Sequence, residues 1–162
     1  MPPNPALLPL AALVLLLLWV CLTDVRYRLI TNRTVIAIAL LALPYWLLRG
    51  MTAEEAWRQV AVVAAATVFF GLLWQAGHWL GRRLIGGGDV KLLIALALWL
   101  PPIAYLNMLL VMSLVGALLA IVVLAANRDR QARLTARVPY GVAIAAGALT
   151  ALGEPIVKQF AA

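Results

Sequence analysis

The chain has 162 residues, of which 65% are hydrophobic and 12% charged, with a net charge of +7. Soluble domains are about 45–50% apolar and about 25% charged, so a water-soluble globule is excluded and an integral membrane protein is expected. The one cysteine, Cys21, excludes an intrachain disulfide and a four-cysteine zinc site.

Met1 to Thr23 carries no charged side chain and is long enough to span, a crossing needing about 20 residues. It has neither a basic n-region nor a small-residue cleavage site, so it reads as a retained helix and not as a signal peptide. Pro2, Pro3, Pro5 and Pro9 set the start of the regular helix at Ala6 or later. The basic connector DVRYRLITNR follows, and then a second uncharged run, Thr34 to Leu48. Thr52 and Glu55 have the spacing of a capping box and open a third helix, whose uncharged run is Gln59 to Gly81. After the connector GRRLIGGGDVK, Leu92 to Asn127 gives 36 residues without charge, too many for one span. Pro101 and Pro102 divide this stretch into a helix over Asp89–Leu100 and another over Ile103–Ala126, because proline cannot continue a helix interior. NRDRQARLTARV is the third basic connector, and Val138 to Gly153 is the last apolar run, ahead of EPIVKQFAA.

The fold expected is all-α: a polytopic membrane protein of about six transmembrane helices, in a single domain over residues 1–162. Ten of the thirteen Lys and Arg residues fall in the connectors after helices one, three and five: Arg26, Arg28, Arg33, Arg82, Arg83, Lys91, Arg128, Arg130, Arg133 and Arg137. The other side holds Arg49, Arg58 and Lys158 against Glu54, Glu55 and Glu154. The positive-inside rule then puts the three basic connectors in the cytoplasm and both termini outside. Topology thus accounts for the charge. No aromatic-interleaved basic patch suggests nucleic acid, and the basic loops are expected to face anionic lipid of the inner leaflet. A helix of twelve residues rises only about 18 Å, so Asp89 is expected somewhat below the cytoplasmic surface if the Pro-Pro turn lies at the outer face.

Of the three acids on the inner side, Asp129 sits among arginines and reads as a solvated loop residue. Asp24 and Asp89 each lie at a helix end with apolar sequence on one flank, and ionisable groups so placed are costly and usually functional. Two carboxylates brought together share a proton, so one can act as base toward water while the other acts as acid toward a carbonyl. Such chemistry needs no metal, no cofactor and no cysteine or serine nucleophile. An N-cap or helix-dipole role is the structural alternative for Asp89. It leaves Gly86, Gly87 and Gly88 unexplained, and these read as a flexible, uncovered backbone able to admit an extended peptide. For Asp24, at the end of a helix, the dipole is unfavourable. His78, near the end of helix three, reads as a packing or interfacial residue.

These residues resemble the type IV prepilin peptidases, membrane aspartic proteases with a GxGD motif. Here the motif is Gly86, Gly88 and Asp89, continued as DVKLL with Lys91. The family's first aspartate lies in a D-x-R-x-x-x-I-P-N pattern, and DVRYRLITN supplies Asp24, Arg26, Ile30 and Asn32, with Thr31 in place of proline. VPYGVAIAAG is similar to the P-Y-G-x-A-I segment that opens the last helix, and gives Pro139, Tyr140 and Gly141. The resemblance implies a bacterial inner-membrane enzyme that cuts the basic leader from prepilins at the cytoplasmic face, just after a glycine and before the pilin's hydrophobic helix. Asp24 and Asp89 would be the catalytic pair, with the glycines, Arg26, Asn32, Lys91 and the Pro-Tyr-Gly residues in support and Tyr140 a hydrogen-bonding group near the site. Larger members carry a cytoplasmic segment with paired cysteines and also N-methylate the product. The connector from Thr23 to Thr34 has no room for it, which implies the short, peptidase-only form associated with Flp/Tad-type pili. Archaeal preflagellin peptidases are the second substrate class, while a small proton-coupled transporter or a membrane scaffold subunit are the readings from other classes.

Overall fold

The uncharged runs form helices. The computed structural model describes residues 5–82, 84–126 and 138–160, with side chains as far as Gly153. In chain order the helices are α1 (Leu7–Tyr27), α2 (Asn32–Arg49), α3 (Ala53–Trp79), α4 (Gly87–Ala97), α5 (Pro102–Ala126) and α6 (Tyr140–Phe160), and no strand occurs among the described residues. Arg83 and residues 127–137, which include Arg128, Asp129, Arg130, Arg133 and Arg137, lie outside the described residues, as do the side chains of Glu154 and Lys158. Helices α1, α3 and α5 are long and apolar enough to cross a membrane. Their outer faces are apolar too: α5 exposes Leu106, Leu110, Leu114 and Leu118 at four-residue spacing. Lipid satisfies a stripe of that kind, whereas water would penalise it.

The boundaries follow local chemistry. Thr31 caps α2 by accepting the Thr34 amide, satisfying one of the N–H groups that a helix start leaves unpaired. The expected capping box opens α3, with the Thr52 side chain on the Glu55 amide and the Glu55 side chain on the Thr52 amide. Gly81, at φ +61°, lets the chain turn out of α3, a backbone angle that disfavours residues with a Cβ. Pro102 occupies the first position of α5, where its missing N–H leaves no helical bond unmade.

Two boundaries differ from expectation. Helix α6 continues past Gly153, through Pro155, to Phe160. Helix α4 begins two residues before Asp89 and stops at Ala97, three short of Leu100. At 11 residues, α4 is the shortest element, and it is packed against α2, α3 and α6. Leu92, Leu93, Leu96 and Ala97 are essentially inaccessible. Helix α1 packs on α2 and α6, and α5 packs along α6. The last pair approaches closely at Gly147, where a Cβ would stand 2.5 Å from the Met108 carbonyl oxygen.

Candidate active site

Asp24 lies in the last turn of α1, not at its end. The helix runs three residues further and closes at Arg28, whose amide donates to the Asp24 carbonyl from a left-handed backbone (φ 53°). The side chain is buried, at 7% exposure. Its Oδ2 accepts the Gly141 amide at 2.8 Å. That amide belongs to the first turn of α6, where a helix leaves its N–H groups unpartnered and its dipole is positive. Pro139, half-buried, precedes this turn, and Tyr140 N–H bonds to the Val138 carbonyl. The unfavourable dipole of α1 is thus met by the favourable end of another helix. A Cβ on Gly141 would lie 2.9 Å from Asp24 Oδ2 and 3.0 Å from its Cβ and Cγ, so only glycine lets the amide come this near.

Asp89 is the third residue of α4, half-buried, with Gly86 as the N-cap. Its carboxylate accepts the Gly86 amide, one half of a capping box. A Cβ on Gly86 would stand 2.6 Å from Asp89 Oδ2. Gly88 is tight as well: a Cβ there would be 3.2 Å from the Ile30 Cβ. The backbone is exposed at Gly86 and Gly87, as expected of an uncovered segment, but it is already helical from Gly87 onward. Gly87 and Gly88 are helical, and the motif glycines supply room for the Asp89 carboxylate and for Ile30 of the α1–α2 connector.

Helices α1 and α4 pack on the same two neighbours, α2 and α6, which brings the two aspartates within electrostatic reach. Asp89 lies outside the three span-length helices. Lys91 Nζ donates to Asn32 Oδ1 at 3.0 Å, tying the first turns of α4 and α2 together at the same end. Arg26 and Tyr140 do not join this group. Arg26 is exposed, its guanidinium carbon 5.6 Å from the Tyr27 ring centroid. Tyr140 is half exposed with its ring beside Gly116 of α5, and its hydroxyl has no hydrogen-bond partner among the described residues. His78 is exposed, with its ring stacked over Trp74 at a centroid distance of 6.3 Å.

Two cavities lie near the two aspartate turns, with neither carboxylate in their walls. One, of about 520 Å³, adjoins the turn before Asp89 and is lined by Trp74, His78, Arg82, Ile85, Gly86 and Gly87. The other, of about 470 Å³, lies along the exposed face of the last turns of α1 and is mainly apolar, with Trp19, Leu22, Val25, Tyr27 and Val142 in its wall. Among the described residues no group of three or more His, Cys, Asp or Glu side chains is placed to hold a metal.

The sequence reading missed a set of residues at the far end of α4. Trp46 Nε1 donates to the Leu98 carbonyl at 2.7 Å, and buried Gln59 donates to the carbonyls of Leu100, at 3.0 Å, and of Ala97. Trp99 Nε1 donates to the Ile38 carbonyl at 2.8 Å. A signal was available: a proline break inside an apolar run frees carbonyls that need donors, and Trp46 and Gln59 lie near the ends of the neighbouring runs.

Comparison with curated proteins and with solved structures finds no match. The sequence profile of the type IV leader peptidase family matches residues 11–121. That stretch contains both aspartates, all three glycines before Asp89, Asn32 and Lys91. The chain belongs to the type IV leader peptidase family.

Proposed function

We propose that this protein is a membrane aspartic endopeptidase that removes the leader of Flp-type prepilins at the cytoplasmic face of a bacterial inner membrane, without N-methyltransferase activity. Asp24 and Asp89 are the catalytic pair, and no cofactor or metal takes part. All six helices cross or enter the membrane, both termini face outward, and the bilayer lipid is a partner. The observation that carries this reading is the Gly141 amide on buried Asp24 Oδ2 with a second half-buried carboxylate, Asp89, within electrostatic reach.

The chemistry follows from that arrangement. An oxygen that accepts an N–H bond carries no proton toward the donor, so Asp24 is the partner suited to take a proton from water. Asp89 holds the shared proton and donates a hydrogen bond to the scissile carbonyl. Water adds to the carbonyl carbon as its proton passes to Asp24. The C–N bond then breaks as a proton reaches the departing amine. The apolar cavity along the last turns of α1 suits the hydrophobic helix that follows the cleavage point, and the cavity at Gly86 and Gly87 suits the residues around the cut. Carboxylates gathered at one end of the bundle, and not at its middle, favour the peptidase over a proton-coupled transporter.

The working form carries one proton on the pair. As pH rises that proton is lost, and kcat is expected to fall about tenfold per pH unit on the alkaline limb. A pH–rate profile of the purified enzyme measures this. A kcat that stays constant from mildly acid to alkaline pH would remove Asp89 as the acid. Substrate class is tested by incubating the protein with a Flp-type prepilin and an archaeal preflagellin and following both by mass spectrometry. The expected outcome is loss of the leader after glycine from the prepilin, with no mass gain of a methyl group. Preferential cleavage of the preflagellin, or a methylated product, would refute the assignment.

A further inference from the structure

Helix α4 carries Asp89 in its first turn and has to hold that turn beside Asp24. With 11 residues it rises only about 16 Å, about half of the roughly 30 Å apolar layer, so its two ends cannot both reach water. The packing of Leu92, Leu93 and Leu96 fixes its lateral position, but dispersion contacts between smooth aliphatic surfaces resist axial sliding weakly. Directional bonds have to set its depth. Among the described residues, the exposed Lys91–Asn32 bond serves the Asp89 end, and the buried Tyr105 hydroxyl donates to the Leu93 carbonyl in the middle of the helix. At the other end the chain leaves the helix, and the carbonyls of Ala97, Leu98 and Leu100 would be orphaned in surroundings without water.

Two side chains from two different helices satisfy them. Gln59 of α3, 7% exposed, uses its amide nitrogen on both Ala97 and Leu100. Trp46 of α2 takes Leu98. The Gln59 bonds are the deeper: they come from a buried polar side chain that apolar neighbours would otherwise penalise, so α4 and Gln59 each lose if the helix slides. We propose that Gln59 is a positioning residue for Asp89: by clamping the inner end of α4 it sets the depth at which the Asp89 carboxylate meets Asp24. The inference rests on the peptidase reading for its kinetic consequences and on the hydrogen bonds alone for its structural one.

The test pairs the two kinds of consequence. Gln59→Leu keeps the volume and removes both donors. Measured per folded enzyme, it is expected to lower kcat about 10- to 100-fold, the range expected when a reacting group is displaced by about 1 Å, with KM little changed. Gln59→Glu, neutral in so buried a site, keeps one donor and is expected to recover part of the loss. Trp46→Phe, which removes the Leu98 donor and keeps a ring, is expected to act in the same direction and carries the test if Gln59→Leu does not fold. Independently of activity, Asn32→Cys with Lys91→Cys in a Cys21→Ala chain is expected to cross-link efficiently with a short thiol-reactive linker, and poorly once Gln59→Leu is added. Wild-type kcat in both folded variants, or cross-linking that Gln59→Leu leaves unchanged, would overturn the proposal. A wild-type protein that cuts no leader while the cross-link still depends on Gln59 would refute the peptidase reading and leave the clamp standing.

Discussion

Asp24→Asn and Asp89→Asn are each expected to reduce leader removal by about a thousandfold or more, the scale at which a general acid or base and its charge are lost together. Helical content and thermal midpoint should remain near those of the wild type. The second half of this expectation comes from the hydrogen bonds. Asparagine at position 24 still presents an oxygen to the Gly141 amide, and asparagine at position 89 still presents one to the Gly86 amide. Neither substitution empties a contact. What disappears at position 24 is a base able to take a proton from water, and at position 89 an acid able to give one. A fold-dependent loss would instead lower activity and melting temperature together.

The second large effect concerns a residue that does no chemistry. Gly86→Ala places a methyl group 2.6 Å from Asp89 Oδ2 in the present geometry, and the atom that has to give way is the tip of the carboxylate itself. A terminal oxygen moves easily, so stability should change little. A displacement of about 1 Å at a reacting group costs about a hundredfold in rate, and the freed carboxylate also loses its amide. Gly86→Ala is therefore expected to fold like the wild type and to cut about a hundredfold more slowly, as read by kcat beside a thermal melt. Gly141→Ala presses on Asp24 Oδ2 and also on its Cβ and Cγ, so it should lower both activity and stability. A Gly86→Ala enzyme of normal activity would mean that the motif glycine serves the chain's folding and not the carboxylate.

The runs of uncharged residues, the Thr52–Glu55 cap and the Pro101 break were legible in the sequence because each rests on short-range chemistry: hydropathy, a spacing of three residues, a missing N–H. The pairing of Asp24 with Asp89 was legible through motif order, not through any local rule, since the two residues reach each other only because α1 and α4 share α2 and α6 as neighbours. The partner of Asp24 was invisible as such. Gly141 stands 117 residues away, and its use as an amide donor depends on where α6 begins. A second use of the glycines before Asp89 was invisible for a related reason. Sequence ranks glycine by backbone freedom, whereas Gly86 and Gly88 are needed for the absence of a Cβ, a property of the neighbours and not of the chain. Likewise the apolar run ended at Gly153, whereas α6 continues to Phe160. Gln59 marked only the start of an uncharged run, and its partners came into view with the end of α4.

The account turns on two aspartates cutting one bond. The most direct measurement is mass spectrometry of a Flp-type prepilin incubated in detergent with the purified wild-type protein, with Asp24→Asn and with Asp89→Asn, each verified as folded. The account predicts a mature pilin cut just after the leader glycine for the wild type and intact prepilin for both variants. Mature pilin produced by either variant at the wild-type rate would contradict it.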